Sequence, residues 1–274
     1  MSDHVDSPTG WQLDQNAPEA YEQYLVPAIF VPWAEGLVDR ADVRDGDDVL
    51  DVACGTGIVA RTAASRVGDT GSVVGLDLNE GMLAVAEKAA AEIEPPVEWR
   101  QGNATDLPFS EERFDVVCCQ QALQFFEEPT AALEEMRRVL APGGRAVCSV
   151  WRPLDYQPGY VPLAEALEQH VGEEAGAMMR SPFPEWDGDA LRGFARDAGF
   201  DDVSVTIEVD SGRYPSVEEF VRQEAASSPL AEPIGAVSQE VRDELVRDVE
   251  DALEAYIDDE GIVLPMESYV VTAR

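Results

Sequence analysis

Short apolar runs alternate with amphipathic stretches through the first 151 residues of the chain. Residues 49–57 predict a buried strand that ends in a glycine loop, because a β-branched run passes into Gly55 and Gly57, and residues 58–64 then begin a helix. Strands are also predicted at 71–77, 97–101, 114–119 and 145–151, and helices at 80–91, after the cap Asn79, and from Pro129 to the turn at 142–144. This alternation predicts right-handed βαβ units and a doubly wound, mostly parallel sheet.

The pattern changes after residue 152. Helices are predicted at 161–171, 188–198, 217–226 and 239–257, and strands at 203–209 and 268–272. No internal repeat or low-complexity linker separates these elements from the first part of the chain. A single domain over residues 1–274 with helical insertions is therefore predicted, rather than two domains.

Two features precede the first predicted strand. Residues 1–16 are polar and show no periodicity, which predicts a flexible tail. Residues 21–33 place four aromatic side chains in a helical stretch that Pro27 and Pro32 interrupt. Such a stretch is compatible with a lid over a pocket or with a helix that covers the sheet edge, and the sequence leaves both interpretations open.

Acidic side chains outnumber basic ones along the whole chain. The 55 Asp and Glu residues against 19 Lys and Arg residues give a net charge of −36. Such a charge repels phosphate backbones and anionic lipid surfaces, so neither nucleic acid nor a membrane is an expected partner. Lys88 is the only lysine, and acidity with lysine depletion predicts a halophilic protein in a salt-rich cytoplasm, where a short Debye length suppresses self-repulsion.

The cysteines predict a cytoplasmic protein as well. Cys54, Cys118, Cys119 and Cys148 lie in apolar runs without CxxC spacing, which is typical of buried, reduced thiols. We expect no transmembrane helix and no secretion signal, because no stretch near the N-terminus approaches the ~20 apolar residues of a membrane span. With two histidines in the chain, no metal site is predicted.

The spacing Gly55-x-Gly57-x-x-Ala60, followed by Asp77, is typical of a nucleotide-binding loop. Glycines without a Cβ let a ligand lie against the backbone at a helix N-terminus, and a carboxylate at a strand end can accept both ribose hydroxyl hydrogens. This pattern suits NAD or S-adenosylmethionine. The Asp51 carboxylate favours the second, because it would help an amine and a sulfonium but not a pyrophosphate, and no basic residue lies within the loop.

Five sequence motifs follow one another at residues 49–151: VLDVACGTG, VVGLDLNEGML, GNATDLPF, FDVVCCQQALQFF and RVLAPGGR. On these motifs the chain resembles the class I S-adenosylmethionine-dependent methyltransferases, and within them the group related to the quinone-biosynthesis C-methyltransferases. The resemblance implies a Rossmann-like, seven-stranded α/β sheet whose antiparallel last strand, residues 267–273, inserts beside the fifth. It also implies S-adenosylmethionine as the cofactor.

The resemblance further implies which residues contact the cofactor. They come from the glycine loop, from the ends of the second and fourth strands, and from the segments that follow the second and third: Asp51, Ala53, Gly55, Thr56, Gly57, Asp77, Leu78, Met82, Asn103, Ala104 and Gln120. The loop and Gln120 would meet the methionine half, Asp77 the ribose, and the others the adenine, with Asn103 offering a hydrogen-bond acceptor. Simpler roles stay open: Leu78 and Met82 as core, Asp77 as a helix cap and Gln120 as a strand cap.

The methyl acceptor is expected beneath a cap of later segments. We divide the chain into N-terminal cap helices (17–45), a cofactor-binding core (46–152) and a cap over the acceptor site (153–200 and 210–235). Apolar and aromatic residues concentrate around this cap: Trp151, Tyr156, Tyr160, Met178, Met179, Phe183 and Trp186. They predict a small, apolar or aromatic acceptor.

Methyl transfer from a sulfonium is an in-line displacement, so positioning can supply most of the rate, and a base is needed only if the acceptor loses a proton. No residue is identified as that base. His170 fits packing better than catalysis, and Tyr21, Tyr24 and Tyr160 are candidates for lining the acceptor site. Two other functions stay open: a non-catalytic cofactor-binding regulator, because no base is evident, and an NAD-linked oxidoreductase, because of the loop pattern.

Overall fold

The computed structural model describes residues 17–274. Apart from short 3₁₀ turns, its elements in chain order are α1 (Ala17–Ala20), a π-helix (Tyr21–Phe30), α2 (Val31–Arg40), β1 (Asp48–Val52), α3 (Ile58–Val67), β2 (Ser72–Asp77), α4 (Glu80–Ala89), β3 (Glu98–Gln101), β4 (Phe114–Gln120), α5 (Pro129–Val139), β5 (Leu140–Trp151), α6 (Tyr160–His170), α7 (Glu173–Arg180), α8 (Gly188–Asp197), β6 (Val203–Tyr214), α9 (Val217–Ala226), α10 (Ala231–Ala236), α11 (Gln239–Leu253), β7 (Ile257–Asp258) and β8 (Gly261–Ala273). The predicted tail, residues 1–16, lies outside the described residues.

The strands form one sheet in the order β3-β2-β1-β4-β5-β8-β6, with the short β7 paired to β8. The pairs from β3 to β5 are parallel, whereas β8 is antiparallel to both β5 and β6. This arrangement confirms the doubly wound sheet with an antiparallel last strand beside the fifth. The order reverses between β1 and β4, and at such a switch point the loops that follow the strands diverge and leave a crevice.

The two faces of the sheet bury alternate residues of each strand. Val49, Val116 and Val147 pack on one face with α2 and α3, and Leu50, Val117 and their neighbours pack on the other with α5 and α8. Burial on both faces explains the near-continuous apolar runs that identify these strands in the sequence. All four cysteines are buried and free, as predicted.

A third apolar cluster lies beyond the carboxyl end of the sheet. It joins the π-helix, α6, α7, α9 and α11 to the adjoining ends of β5, β6 and β8, and we call it the cap cluster. Helix α8 does not belong to it, although 153–200 is predicted as cap. Its apolar face, with Leu191 and Ala195, packs on the sheet beside α5, because its buried positions recur on a single helical stripe.

Three strands are longer than predicted. β5 begins at Leu140 rather than at 145, so the turn expected at 142–144 lies within it. β6 and β8 form one antiparallel ladder from the Val203–Ala273 pair to the Tyr214–Ile262 pair, beyond the predicted 203–209 and 268–272. The alternation that identifies a strand is lost where β6 turns polar, and Pro265 interrupts the pattern of β8. The proline is accommodated because it lies where β8 pairs with β6 but not with β5.

One predicted helix ends earlier than expected, and two helices are present that the sequence did not predict. Helix α11 ends at Leu253 rather than at 257, because Ile257 and Asp258 pair with β8 as the short strand β7. Helices α7 and α10 were not predicted, and the eight residues of α7 pack against α6 within the cap cluster. None of the helices in the described part of the chain is long and apolar enough to span a membrane.

Candidate active site

A cavity of about 1020 Å³ opens where the strands of the parallel sheet end. One side, here called the strand-end side, comes from residues that end or follow β1 to β4: Ala53, Gly55, Asp77, Leu78, Asn103 and Gln120. The other, the cap side, comes from the π-helix, α6, α7, α9 and the adjoining parts of β5 and β8: Tyr21, Leu25, Trp151, Tyr160, Phe183 and Glu224. The cavity thus joins the predicted cofactor loop to the cap cluster.

The glycine loop turns sharply because three of its residues adopt left-handed backbone angles. Ala53 has φ 54°, Gly55 φ 55° and Gly57 φ 83°. We expected both glycines to make room for a ligand. A Cβ at Gly55 would meet no atom within 4 Å, and the residue lines the cavity, whereas a Cβ at Gly57 would lie 2.3 Å from the ring of Trp99. Gly57 therefore makes room for the protein's own core, whereas the open space beside Gly55 belongs to the cavity.

Asp51 lies beneath the loop rather than in the cavity. Its side chain is buried, and Oδ2 accepts a hydrogen bond of 2.9 Å from the backbone N–H of Ala60, in the first turn of α3. Burial raises the pKa of Asp51 to about 8. Thr56 is equally buried, and its Oγ1 has no hydrogen-bond partner among the described residues. Asp51 thus ties the end of β1 to α3, and Asp51, Thr56 and Gly57 all lie outside the cavity lining.

Asp77, at the end of β2, lines the cavity with both carboxylate oxygens held in place. Oδ2 accepts a hydrogen bond from the N–H of Gly55 and Oδ1 one from the N–H of Asn79, each at 2.8 Å. Burial raises the pKa of this carboxyl group, and the two N–H donors oppose that rise. The cap of α4 is Asn79, whose Oδ1 accepts from Gly81 and Met82. Asp77 is thereby left with lone pairs that can accept hydroxyl hydrogens of a ligand.

Leu78, Met82, Asn103 and Ala104 line the same side of the cavity. Leu78 is 65% exposed, so it is not a core residue. The Oδ1 of Asn103 accepts two 3.0 Å hydrogen bonds from Thr105, one from its N–H and one from its hydroxyl. We expected this oxygen to accept from an adenine amino group. Its two lone pairs are already used, which leaves the Nδ2 amide as the group that can face a ligand.

The N-terminal π-helix lines the cavity, and we call it the lid. It also packs beside the edge strand β6, where Gly212 lies next to Ala28, so both interpretations of this segment have support. Tyr21 and Phe30 line the cavity from this helix. An ion pair between Arg61 of α3 and Glu22, at 2.8 Å, holds one end of the helix. Gln120, also in the lining, donates from Nε2 to the carbonyl of Phe30 at 3.4 Å. Partly buried contacts thus join the lid to the glycine-loop helix and to the end of β4.

Some of the residues predicted around the acceptor line the cavity and others do not. Trp151, Tyr160, Met179 and Phe183 do. Those outside the lining have other surroundings: Tyr156 beside the Arg152 guanidinium, Trp186 against Phe194 on the sheet face, Met178 against the cap cluster and Tyr24 beside Arg222. His170 Nε2 lies 2.6 Å from Asp248 Oδ2 at the surface of α11, which agrees with a packing role.

Sequence reasoning missed a buried acid in the cavity wall. Glu224 of α9 is 4% exposed and lines the cap side. It continues the helical stripe of Val217, Phe220 and Val221, at the spacing i, i+3, i+4 and i+7. An acid in the apolar stripe of a helix was the signal in the sequence that could have identified it.

None of the cavity-lining residues in the described part of the chain is a lysine, an arginine or a histidine. Arg61, the nearest basic residue after the glycine loop, is paired with Glu22. A pyrophosphate would therefore meet no cation here, whereas the cavity presents carboxylates that suit a positively charged ligand. This electrostatic character argues against the NAD alternative.

Comparison with known proteins identifies the family. A model described as a methyltransferase domain matches residues 49–144. The demethylmenaquinone methyltransferase of Symbiobacterium thermophilum is 32% identical over 203 residues, a match that covers 66% of this chain and 79% of the relative. The chain belongs to the class I S-adenosylmethionine-dependent methyltransferases. It is related to the quinone methyltransferases, as predicted.

One further relative and one solved structure are also similar to this chain. The 2-phytyl-1,4-naphtoquinone methyltransferase of Thermosynechococcus vestitus is 38% identical over 137 residues, which covers 50% of this chain and 57% of the relative. The phosphoethanolamine N-methyltransferase 2 of Haemonchus contortus, solved with S-adenosyl-L-methionine, shares the fold with a TM-score of 0.60 at 20% identity, over 95% of this chain and 57% of that one.

The methyltransferase uses S-adenosylmethionine, and the strand-end side fits it. The Asp77 carboxylate is fixed by two backbone N–H groups, Gly55 leaves open space beside it, and the exposed Leu78 offers an apolar surface. These three features suit, in turn, the ribose, the methionine chain next to it and the adenine ring of the cofactor.

Proposed function

We propose that this methyltransferase transfers a methyl group to a ring carbon of a small, planar hydroquinone. The observation that carries the proposal is the apolar and aromatic lining of the cap side, which is continuous with the strand-end side. Leu25, Ile29, Trp151, Phe183 and Met266 are all part of it. The relatives named for demethylmenaquinone and 2-phytyl-1,4-naphtoquinone support the same acceptor class.

Apolar burial would supply most of the acceptor's affinity. A bicyclic ring that buries ~120 Å² of apolar surface gains ~3 kcal/mol from desolvation, which is enough for selective binding of a flat apolar molecule. The tilted ring pairs Tyr21–Phe30 and Phe30–Trp151, with centroids 5.1 and 6.4 Å apart, present aromatic surfaces from the lid and from β5. Such surfaces favour a ring over a peptide or an RNA.

The cofactor would lie on the strand-end side of the cavity. We propose that Asp77 accepts the ribose hydroxyls, that Leu78 and Met82 flank the adenine beside Asn103 and Ala104, and that Ala53, Gly55 and Gln120 border the methionine half. Asp51, Thr56 and Gly57 would act through the loop. S-adenosylmethionine supplies an electrophilic methyl group when bound, and the chain holds the acceptor in line with it in a water-poor cavity.

Methylation of a reduced naphthoquinone in concentrated KCl tests the proposal. Labelled S-adenosylmethionine is incubated with the protein and either a hydroquinone or an alkylamine of similar size, and mass spectrometry locates the methyl group. We expect a carbon-methylated hydroquinone and no methylated amine. Transfer to the amine alone, or to neither acceptor while adenosylhomocysteine binds, would contradict the proposal, and the second result would favour a non-catalytic cofactor-binding protein.

We also propose a cytoplasmic protein that works at high salt and needs neither nucleic acid nor a membrane. The net charge of −36 and the single lysine support this setting. Many of the arginines are paired with acids, for example Arg213 with Asp258 and Arg222 with Glu219, so little positive surface is left for anionic polymers.

A further inference from the structure

Glu224 is held in the cavity wall by two tyrosines. The hydroxyls of Tyr160 and Tyr214 each donate a hydrogen bond of 2.8 Å to the same oxygen, Oε1. No described residue donates a hydrogen bond to Oε2. Because Glu224 lines the cavity, Oε2 is the carboxylate oxygen available to a molecule inside it.

Aromatic packing fixes the position of this carboxyl group. The Tyr160 and Phe220 rings meet edge to face at 5.5 Å, and Tyr214 packs on the same phenylalanine at 4.9 Å. Phe183 lies 5.1 Å from Tyr160 on the other side. Both tyrosines are buried, so their hydroxyls have little freedom to turn away from Glu224.

A second polar group on the same helix face also lacks a partner. Ser227 lies three residues after Glu224 and lines the cavity, and its buried Oγ has no hydrogen-bond partner among the described residues. Residues three apart lie side by side on a helix. Glu224 and Ser227 thus line the same cavity with an unpaired carboxylate oxygen and a buried, unpaired hydroxyl, and a polar part of a ligand would satisfy them.

No cation among residues 17–274 compensates Glu224. The ionisable groups around it are Tyr160 of α6, Tyr214 of β6 and, through space, Tyr21 of the π-helix. Burial raises the pKa of Glu224 to about 7, against the lowering effect of the two tyrosine hydrogen bonds. A carboxyl group that serves packing alone gains nothing from being ionisable. A carboxyl group whose pKa lies near neutral pH can accept a proton from a ligand and return it.

We propose that Glu224 is the proton acceptor for a ring hydroxyl of the methyl acceptor, and that Tyr160 and Tyr214 position it. This inference rests on the proposed function and supplies the base that the sequence does not reveal. Ser227 would hydrogen-bond a second oxygen of the ring.

The proton and electron balance closes without a further reactant. The acceptor O–H bond breaks, the proton passes to Glu224, and the electron pair shifts from oxygen to the ortho carbon. That carbon forms its bond to the methyl group as the methyl–sulfur bond breaks, with the electron pair left on sulfur. The methylated carbon then releases its ring proton to water, and the oxygen regains the proton held by Glu224. One proton is released overall, and nothing is oxidised or reduced.

Three variants test the assignment: Glu224→Gln, Tyr214→Phe and, as a matched control, Glu218→Gln, which replaces an exposed acid of the same helix. We expect E224Q to lower kcat by a factor of about 100 or more, the usual contribution of a general base, and to leave adenosylhomocysteine affinity unchanged. Y214F should move the acid limb of the pH profile to higher pH, because it removes a hydrogen bond that stabilises the carboxylate. E218Q should match the wild type. Wild-type kcat and an unshifted profile in E224Q would overturn the assignment.

Two measurements need neither turnover nor cofactor. Infrared difference spectra should show a carboxyl C=O band that titrates near neutral pH and is absent from E224Q. Hydroquinone binding, followed by quenching of tryptophan fluorescence, should weaken at least tenfold in E224Q at pH 8. If the wild type methylates no hydroquinone, the proposed function fails, and these measurements still decide the assignment: a band unchanged in E224Q, or equal hydroquinone binding, refutes it.

Discussion

On the strand-end side of the cavity, backbone groups of neighbouring loops hold the residues that face a ligand, whereas on the cap side distant side chains hold one another. Asp77 receives both of its hydrogen bonds from backbone N–H groups. Glu224 receives both of its own from tyrosine hydroxyls, one of which lies 64 residues away in the chain. A loop sequence specifies its own backbone geometry, whereas a side-chain network depends on how distant elements pack. The strand-end side is therefore readable as a motif, and the cap side is free to vary.

The largest expected effect tests the role of Asp77. Asp77→Ala removes a carboxylate whose two oxygens can each accept a ribose hydroxyl, and two charge-assisted hydrogen bonds are worth ~3–5 kcal/mol. Adenosylhomocysteine affinity, measured by calorimetry in concentrated KCl, should fall about 100-fold or more. Glu87→Gln, an exposed acid on α4, is the control. If D77A bound the ligand as tightly as the control, the strand-end side would not be the cofactor side.

The two glycines of the loop should respond differently to alanine. Gly57→Ala places a methyl group against Trp99 and strains a residue with φ 83°, which should lower the free energy of unfolding by ~2–4 kcal/mol. Gly55→Ala carries the backbone strain alone, ~1–2 kcal/mol, and should chiefly weaken cofactor binding. Urea denaturation and calorimetry on both variants check this, and equal losses of stability would contradict the separate roles.

The pH dependence of stability should report on Glu224 of the cap side. The pKa of Glu224 is 4.5 in the unfolded chain and about 7 in the folded protein. Below pH 4.5 the carboxyl group is neutral in both states, and its titration does not affect stability. Above pH 7 the folded protein carries the full penalty of burying the ionised carboxylate. Relative to E224Q, wild-type stability should fall by ~2–3 kcal/mol between pH 5 and pH 8. Urea denaturation of both proteins at the two pH values measures this. A constant difference would show that Glu224 does not titrate in this range.

Added salt should weaken repulsion among surface acids and leave the stability difference between the wild type and E224Q unchanged. Raising KCl from 0.1 to 1 M shortens the Debye length from ~10 to ~3 Å, which weakens repulsion among exposed acids. We expect the Tm of the wild type and of E224Q to rise together, because Glu224 is buried and is screened far less. A Tm that falls with added KCl would contradict the proposed adaptation to salt.

Much of the fold and of the strand-end side could be predicted from sequence, because their signals are local. The apolar run of β4, the Asn79 cap and the glycine spacing each specify structure within a few residues. The signal fails where pairing or packing partners lie far away. The polar end of β6 is a strand only because β8 lies beside it, and Pro265 is tolerated only where β8 has one long neighbour.

By itself, the sequence determined the doubly wound sheet, the loop between β1 and α3, and the family. Only the tertiary structure decided which loop residues line the cavity. Gly55 lines it, whereas Asp51 accepts a hydrogen bond from α3 and Gly57 makes room for the Trp99 ring. The tertiary structure alone brought Tyr160, Tyr214 and Glu224 together. The physical reason is that backbone conformation follows from neighbouring residues, whereas the surroundings of a buried side chain follow from which distant elements pack against it.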